Sequence, residues 1–262
     1  MKTNDKVLLC LLLVALILGC KMLSKLKAGP GTEYKVHIEA TDEDKEAIIE
    51  RAIKVTENKL NAVGRSGEVR RDESDPNMIV VRVYGTEDPE RMKAFLFTAY
   101  QLELRKVISP PNPYPVQKFP NVEAAQQAAS GDQEILPYGE RLGGPEQFVI
   151  VDKSVIINGE EIRDASAVSI SRSQSDYTIA FSLKSEGAVK FGDWTGKNIN
   201  NYLAVVLDKR IQSIAYIKSQ IFDQGEISGH FTKASAEDIA LSLKSGYLPA
   251  AMTVLEEKPF EK

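Results

Sequence analysis

Residues 33–64 read EYKVHIEATDEDKEAIIERAIKVTENKLNAVG, and the change of period inside this stretch decides the fold class. Tyr34, Val36 and Ile38 alternate with polar residues. Successive strand side chains point to opposite faces, so the run is a strand with one buried face. Beyond Asp44 the spacing lengthens. Ile48, Ile49, Ala52, Ile53, Leu60 and Val63 recur at three and four residues, on one side of a helix. Thr41 followed by Asp44 has the form of a capping box. Gly64 is a natural stop, because glycine takes the left-handed backbone that ends a helix.

The pattern continues outward from there. Glu68–Arg70 and Met78–Val83 read as strands around the turn Asp75-Pro76-Asn77. Asp88-Pro89 opens a second helix with proline in its first turn, and Met92, Phe95, Leu96 and Ala99 form its apolar face. Gln101–Val107 alternates as a strand. The order β-α-β-β-α-β predicts a ferredoxin-like base subdomain over residues 33–108. The prolines of 109–115 exclude a helix or a central strand there. Residues 109–146 are expected to be a linker with one short helix, Asn121–Ser130, and a loop over 131–146.

A second α+β segment, the head, is expected over residues 147–250. Its strands are Phe148–Val151, Val155–Ile157, Ala167–Ser171, Thr178–Leu183, Tyr202–Leu207 and Arg210–Ile214. Ser185 caps a helix carrying Ala188, Val189, Phe191 and Trp194, and Ser235 caps another that ends at Gly246. Residues 251–262 are a C-terminal strand, Met252–Leu255, and tail. The fold class is α+β, with an N-terminal membrane tether.

The tether reading comes from residues 1–20. Lys2 and Lys6 precede an unbroken apolar run, Val7–Leu18, and Lys21, Lys25 and Lys27 follow it. The run is shorter than the roughly 20 residues that span a bilayer as a helix, and it suits the apolar part of a signal peptide. Ile17-Leu18-Gly19-Cys20 resembles a bacterial lipobox, which implies lipidation of Cys20. An uncleaved signal anchor is the other reading. Residues 21–32 are then a spacer, and both readings place the body on the extracytoplasmic (periplasmic) face.

Residues 195–249 carry a specific resemblance. Thr195, Asn198, Leu203–Asp208, Ile221, Gly225-Glu226-Ile227-Ser228-Gly229, Phe231-Thr232, Ala236, Leu241, Leu243, Gly246 and Leu248-Pro249 stand in the order of the periplasmic head of SecD and SecDF proteins. Upstream, Ile157–Ile162 with Asp164-Ala165, and Phe181, Gly187-Ala188 and Phe191, continue it. The first segment is similar to that family's base, through Ile53, Asn58, Leu60, Val63, Gly64, Ile79-Val80-Val81 and Gly85. The resemblance covers roughly residues 33–257. It implies a role in protein export, with secretory polypeptide or Sec and envelope proteins as partners. The membrane bundle that carries the family's proton-coupled motor is expected to be missing. Lys209 stands where the family has glycine, so the turn at Asp208 is expected to differ in shape.

Charges of both signs are interspersed without a basic stripe, which argues against nucleic acid. The two cysteines, Cys10 and Cys20, lie before the folded body, and the two histidines, His37 and His230, lack ligand-spaced neighbours. Neither a metal site, a cofactor nor a catalytic set is expected. The candidate partner contacts are Trp194, Ile227 and Phe231. A structural lipoprotein of the envelope using the same head fold is the alternative function.

Overall fold

A computed structural model describes residues 30–40, 44–85, 88–139, 145–170, 176–248 and 250–260. The change of period is realised as β1, Gly31–Ile38, and α1, Lys45–Ala62. Gly64 follows with φ 63°, the left-handed stop its position requires. Thr41 lies outside the described residues, and the Asp44 side chain makes no capping bond. β2 (Gly67–Arg71) and β3 (Met78–Tyr84) form the expected hairpin. α2, Pro89–Phe97, is capped by Asp88, whose carboxylate accepts from the Arg91 N–H at 3.0 Å.

The remaining elements are β4 (Leu102–Val107), α3 (Val122–Ala128), β5 (Gln133–Tyr138) and β6 (Gln147–Asn158). β7 (Ile162–Ser169), β8 (Tyr177–Leu183), α4 (Ser185–Lys197), β9 (Tyr202–Leu207) and β10 (Arg210–Tyr216) follow. β11 (Gln224–Phe231), α5 (Lys233–Ser245) and β12 (Met252–Phe260) complete the chain. The fold is mixed α+β, as the sequence predicts.

These strands form three sheets. The base sheet has the antiparallel order β12-β1-β3-β2. Tyr34, Val36 and Ile38 pack with Ile79, Val81 and Val83 against Ile49, Ala52 and Leu60 of α1 and Phe95, Leu96 and Phe97 of α2. The expectation that Gln101–Val107 closes this sheet is corrected: β4 pairs with β6 and β9 instead, and β12 takes the place beside β1. The physical reason is that β4 has buried residues on both faces, Leu104 beside Arg105, whereas an outer strand of the base sheet needs only one.

A five-stranded barrel follows, closed in the order β10-β5-β6-β4-β9. β9 reads YLAVVL because both its faces are buried. Ala204 and Val206 face Val107, Leu136, Val149, Val151 and Ile211. Leu203, Val205 and Leu207 face a second core shared with the head. The loop expected over 131–146 is also corrected, since it contains β5, which pairs with β6 from Gln133–Asp152 to Tyr138–Gln147. Pro137 hid this strand. It is tolerated because β5 meets β10 at a single position, Ile211 with Tyr138. The third sheet, β11-β8-β7, has α5 packed across β7 and β8. Its strands expected at Ala167–Ser171 and Thr178–Leu183 are longer or shifted, and β6 is one strand where two were expected.

The base meets the head through α1, α2 and α5. Asn58 donates to the Ser245 carbonyl at 3.0 Å, and Arg91 grips Asp238 with two bonds of 2.8 and 3.0 Å. Lys59 lies under this contact with no exposed surface. Its ammonium donates to the carbonyls of Phe95 (3.0 Å), Leu96 (3.3 Å) and Thr98 (2.8 Å), where α2 ends. Three donors thus meet three orphan acceptors at the negative end of a helix. Burial pulls this lysine down and the Asp208 carboxylate offsets part of that, which leaves it at about 7.

Candidate functional site

The motif residues that point to function gather on α4, β8 and β11. Thr195, fully buried in α4, is the hub. Its hydroxyl lies 2.8 Å from the Phe191 carbonyl and 3.0 Å from the Ile221 carbonyl, and it accepts the Ile221 N–H at 2.9 Å. Gln220 donates to the Gly192 carbonyl at 3.0 Å, and Asn198 donates to the Trp194 carbonyl at 2.9 Å where the helix ends. The Thr195 and Gln220 bonds fasten residues 220 and 221 along α4.

β11 shows why its motif needs glycines. A Cβ on Gly225 would stand 2.3 Å from the Phe181 ring, and one on Gly229 would stand 2.9 Å from the Phe231 ring. Each glycine lets an aromatic ring lie flat against the strand. Ile227 and Phe231 are consequently at 0% exposure inside the core formed with Phe181, Phe191, Ile239 and Leu243. Their assignment as partner contacts is corrected: they hold α5 to the sheet. Trp194 is half-buried and packs on the same core. Cys20 lies outside the described residues.

The surface that the clamp does present is different. Phe222 is 61% exposed and Val189 is 65% exposed. Val189 and Gly192 are one helical turn apart, and a Cβ at Gly192 would touch the Phe222 ring at 3.2 Å. Phe222 thus lies over Gly192, one turn along α4 from Val189, and both apolar side chains are exposed. The sequence signal for Val189 was available. At 100° per residue Val189 points away from Phe191 and Thr195, so it does not share their buried face.

The remaining polar clusters are structural. Asp208 and Lys209 form the β9–β10 turn with φ 51° and 59°, a left-handed pair matched to the twist of a hairpin. The Asp208 carboxylate accepts the Gln101 N–H at 2.8 Å, and burial raises its pKa. Buried Arg105 bonds Glu103 at 2.8 Å and also Glu134, with Lys209 beyond them. Among the described residues no three His, Cys, Asp or Glu side chains converge as metal ligands.

Changing Thr195 to valine keeps the volume and removes the clamp. The expected cost is about 2 kcal/mol, since the Ile221 N–H loses its acceptor. Hydrogen exchange at residues 220–222 should accelerate, while exchange in the base stays unchanged.

This fold is similar to that of SecDF proteins. Residues 133–250, which begin at β5 and include α5, match the family described as the SecDF P1 head subdomain. SecD of Koribacter versatilis is 32% identical over 237 residues, which are 88% of this chain and 43% of that protein. SecD of Aquifex aeolicus is 32% identical over 221 residues, 82% of this chain and 40% of that protein. The chain therefore spans about two fifths of the curated relatives it matches. A SecDF crystal structure in a super-membrane-facing form superposes with TM-score 0.66 at 25% identity, over 89% of this chain and 31% of the other. A structure of SecDF, described as a membrane component that enhances protein export, gives TM-score 0.62 at 26% identity, over 86% of this chain and 98% of the other. The chain is thus a homologue of the periplasmic region of the translocase subunit SecD.

Proposed function

We propose that this protein acts in protein export on the extracytoplasmic face of the membrane, as a SecD-like module that receives emerging polypeptide or docks on the Sec machinery. The observation that carries the reading is the continuous match to SecD over 88% of the chain, base and head together. The patch of Val189 and Phe222 supplies the polypeptide contact, because an exposed aromatic held by a rigid clamp binds apolar segments at low entropic cost. Residues 1–20 supply the tether, through a lipid on Cys20 or through the apolar run as an anchor, and residues 21–32 are the spacer.

The base is best described as a ferredoxin-like unit of residues 30–97 completed by β12, with the barrel and head inserted before that last strand. Both ends of the described chain then lie together, because Gly31 pairs with Phe260. A tether before residue 30 accordingly holds the base towards the membrane and leaves the head to project from it.

The test is export itself. Translocation of a secretory precursor should be measured in cells with and without this chain. Slower precursor processing in its absence, restored by the wild-type gene, is expected. Unchanged export together with an unrelated envelope defect would favour the structural-lipoprotein alternative.

A further inference from the structure

The base sheet has two outer strands, and they are finished differently. β2 is five residues long and ends in Arg70 and Arg71, and three of its five residues are charged. β12 is nine residues long, and its two halves contrast. Glu256, Glu257, Lys258 and Pro259 protect the second half in the usual manner of a strand edge. Met252, Thr253, Val254 and Leu255 carry no charge. Among the described residues, β1 is the only strand that pairs with β12.

An irregularity in the β1–β12 register lies opposite this half. Val36 pairs with Val254 and Lys35 with Glu256, so Leu255 is the extra residue, and it is 58% exposed. Beside it, Met252, Val254, Ala94, Phe97 and Thr98 line a groove of about 460 Å³ between β12 and α2. One end is closed by Lys93, which bridges Glu90 at 3.0 Å and Glu257 at 2.8 Å. Glu256 stands at the lip, 58% exposed and 3.7 Å from Lys35.

We infer that the uncharged half of β12 is a docking edge for an extended polypeptide, which adds as a fifth strand to the base sheet. The backbone edge dictates the class of occupant, since unpaired N–H and C=O groups at strand spacing are matched by another strand. Its side chains are dictated by the two faces. Residues turned towards α2 meet Ala94, Phe97 and Val254 and are apolar. Residues turned the other way lie beside Thr253 and are polar. The exposed carboxylate of Glu256, held loosely at 3.7 Å from Lys35, accommodates a second cation, a lysine or arginine that follows. The occupant is an alternating apolar–polar segment of four or so residues with a flanking cation. That this segment belongs to a secretory polypeptide rests on the export role proposed above; the groove's own selectivity does not.

The test uses the full chain purified from membranes in detergent. The probe is a labelled peptide alternating valine and serine and ending in arginine, compared with the same peptide carrying a central proline. Saturable binding of the first is expected. Binding about tenfold weaker is expected for the proline peptide and for the Leu255→Lys protein, as one or two strand hydrogen bonds and an apolar contact are lost. Thr253→Lys is the second variant, and circular dichroism confirms that both fold. Equal binding of the two peptides, or binding that ignores both variants and falls with Phe222→Ala, would overturn the inference and leave the export role standing. So would self-association of the chain that Leu255→Lys abolishes, because the edge would then serve a second copy. Selective peptide binding in a chain whose removal leaves export unchanged would keep the edge and discard the export role.

Discussion

Replacing Lys59 with methionine should lower stability by about 3 kcal/mol, because three buried carbonyls at the end of α2 lose their donors while the methylene stem keeps its packing. The loss should be read from urea midpoints at constant slope. Its pH dependence has a definite sign. Lys59 titrates at about 7 in the folded chain, against roughly 10.4 when unfolded. Between those values the unfolded chain binds more protons, so the wild type gains stability as pH rises. Methionine cannot titrate. The gap between the two proteins is therefore smallest below about pH 7 and widens towards about pH 9, short of the tyrosine range. A gap that stays constant over this window would mean that Lys59 is not held in the site described.

The second large effect concerns Phe231. Its truncation to alanine should cost about 4 kcal/mol, the usual range for a fully buried phenylalanine whose cavity cannot collapse. Here collapse is resisted from both sides, by the sheet under Gly229 and by Ile239 and Leu243 of α5. Phe222→Ala, by contrast, should leave stability within about 0.5 kcal/mol, as expected for an exposed position. Thermal unfolding of the two variants side by side separates a core ring from a surface ring. It tests directly whether the aromatic named in the motif or the one beside it is available to a partner.

That pair also shows what the sequence could and could not disclose. Local periodicity is a property of adjacent residues, so β1, α1, β3, α2 and β9 were legible from spacing alone. Partnering between distant strands is not. β4 alternates as well as any base strand, and only its two buried faces place it in the barrel. β12 reaches β1 across most of the chain, a pairing with no local trace. β5 was masked by Pro137, since a breaker in a short run outweighs two apolar residues in any local reading.

The site followed the same rule. The glycines of the β11 motif, with Thr195 and Asn198, marked the right region because close packing and clamping need those residue types. Ile227 and Phe231 stand out in sequence because the core depends on them, which is the reason they cannot face a partner. Phe222 stands out less because an exposed ring has few intramolecular requirements to satisfy. A helical projection of α4 separates Val189 from Phe191, and that was the signal to use.

The most direct measurement of the central claim places a photo-reactive side chain at position 222 of the full chain and arrests a secretory precursor in translocation. Position 231, in the core, and position 73, exposed on the turn between β2 and β3, serve as references. The account predicts an adduct with the precursor from position 222 and none from 231 or 73. Precursor adducts no stronger at 222 than at 73 would contradict it.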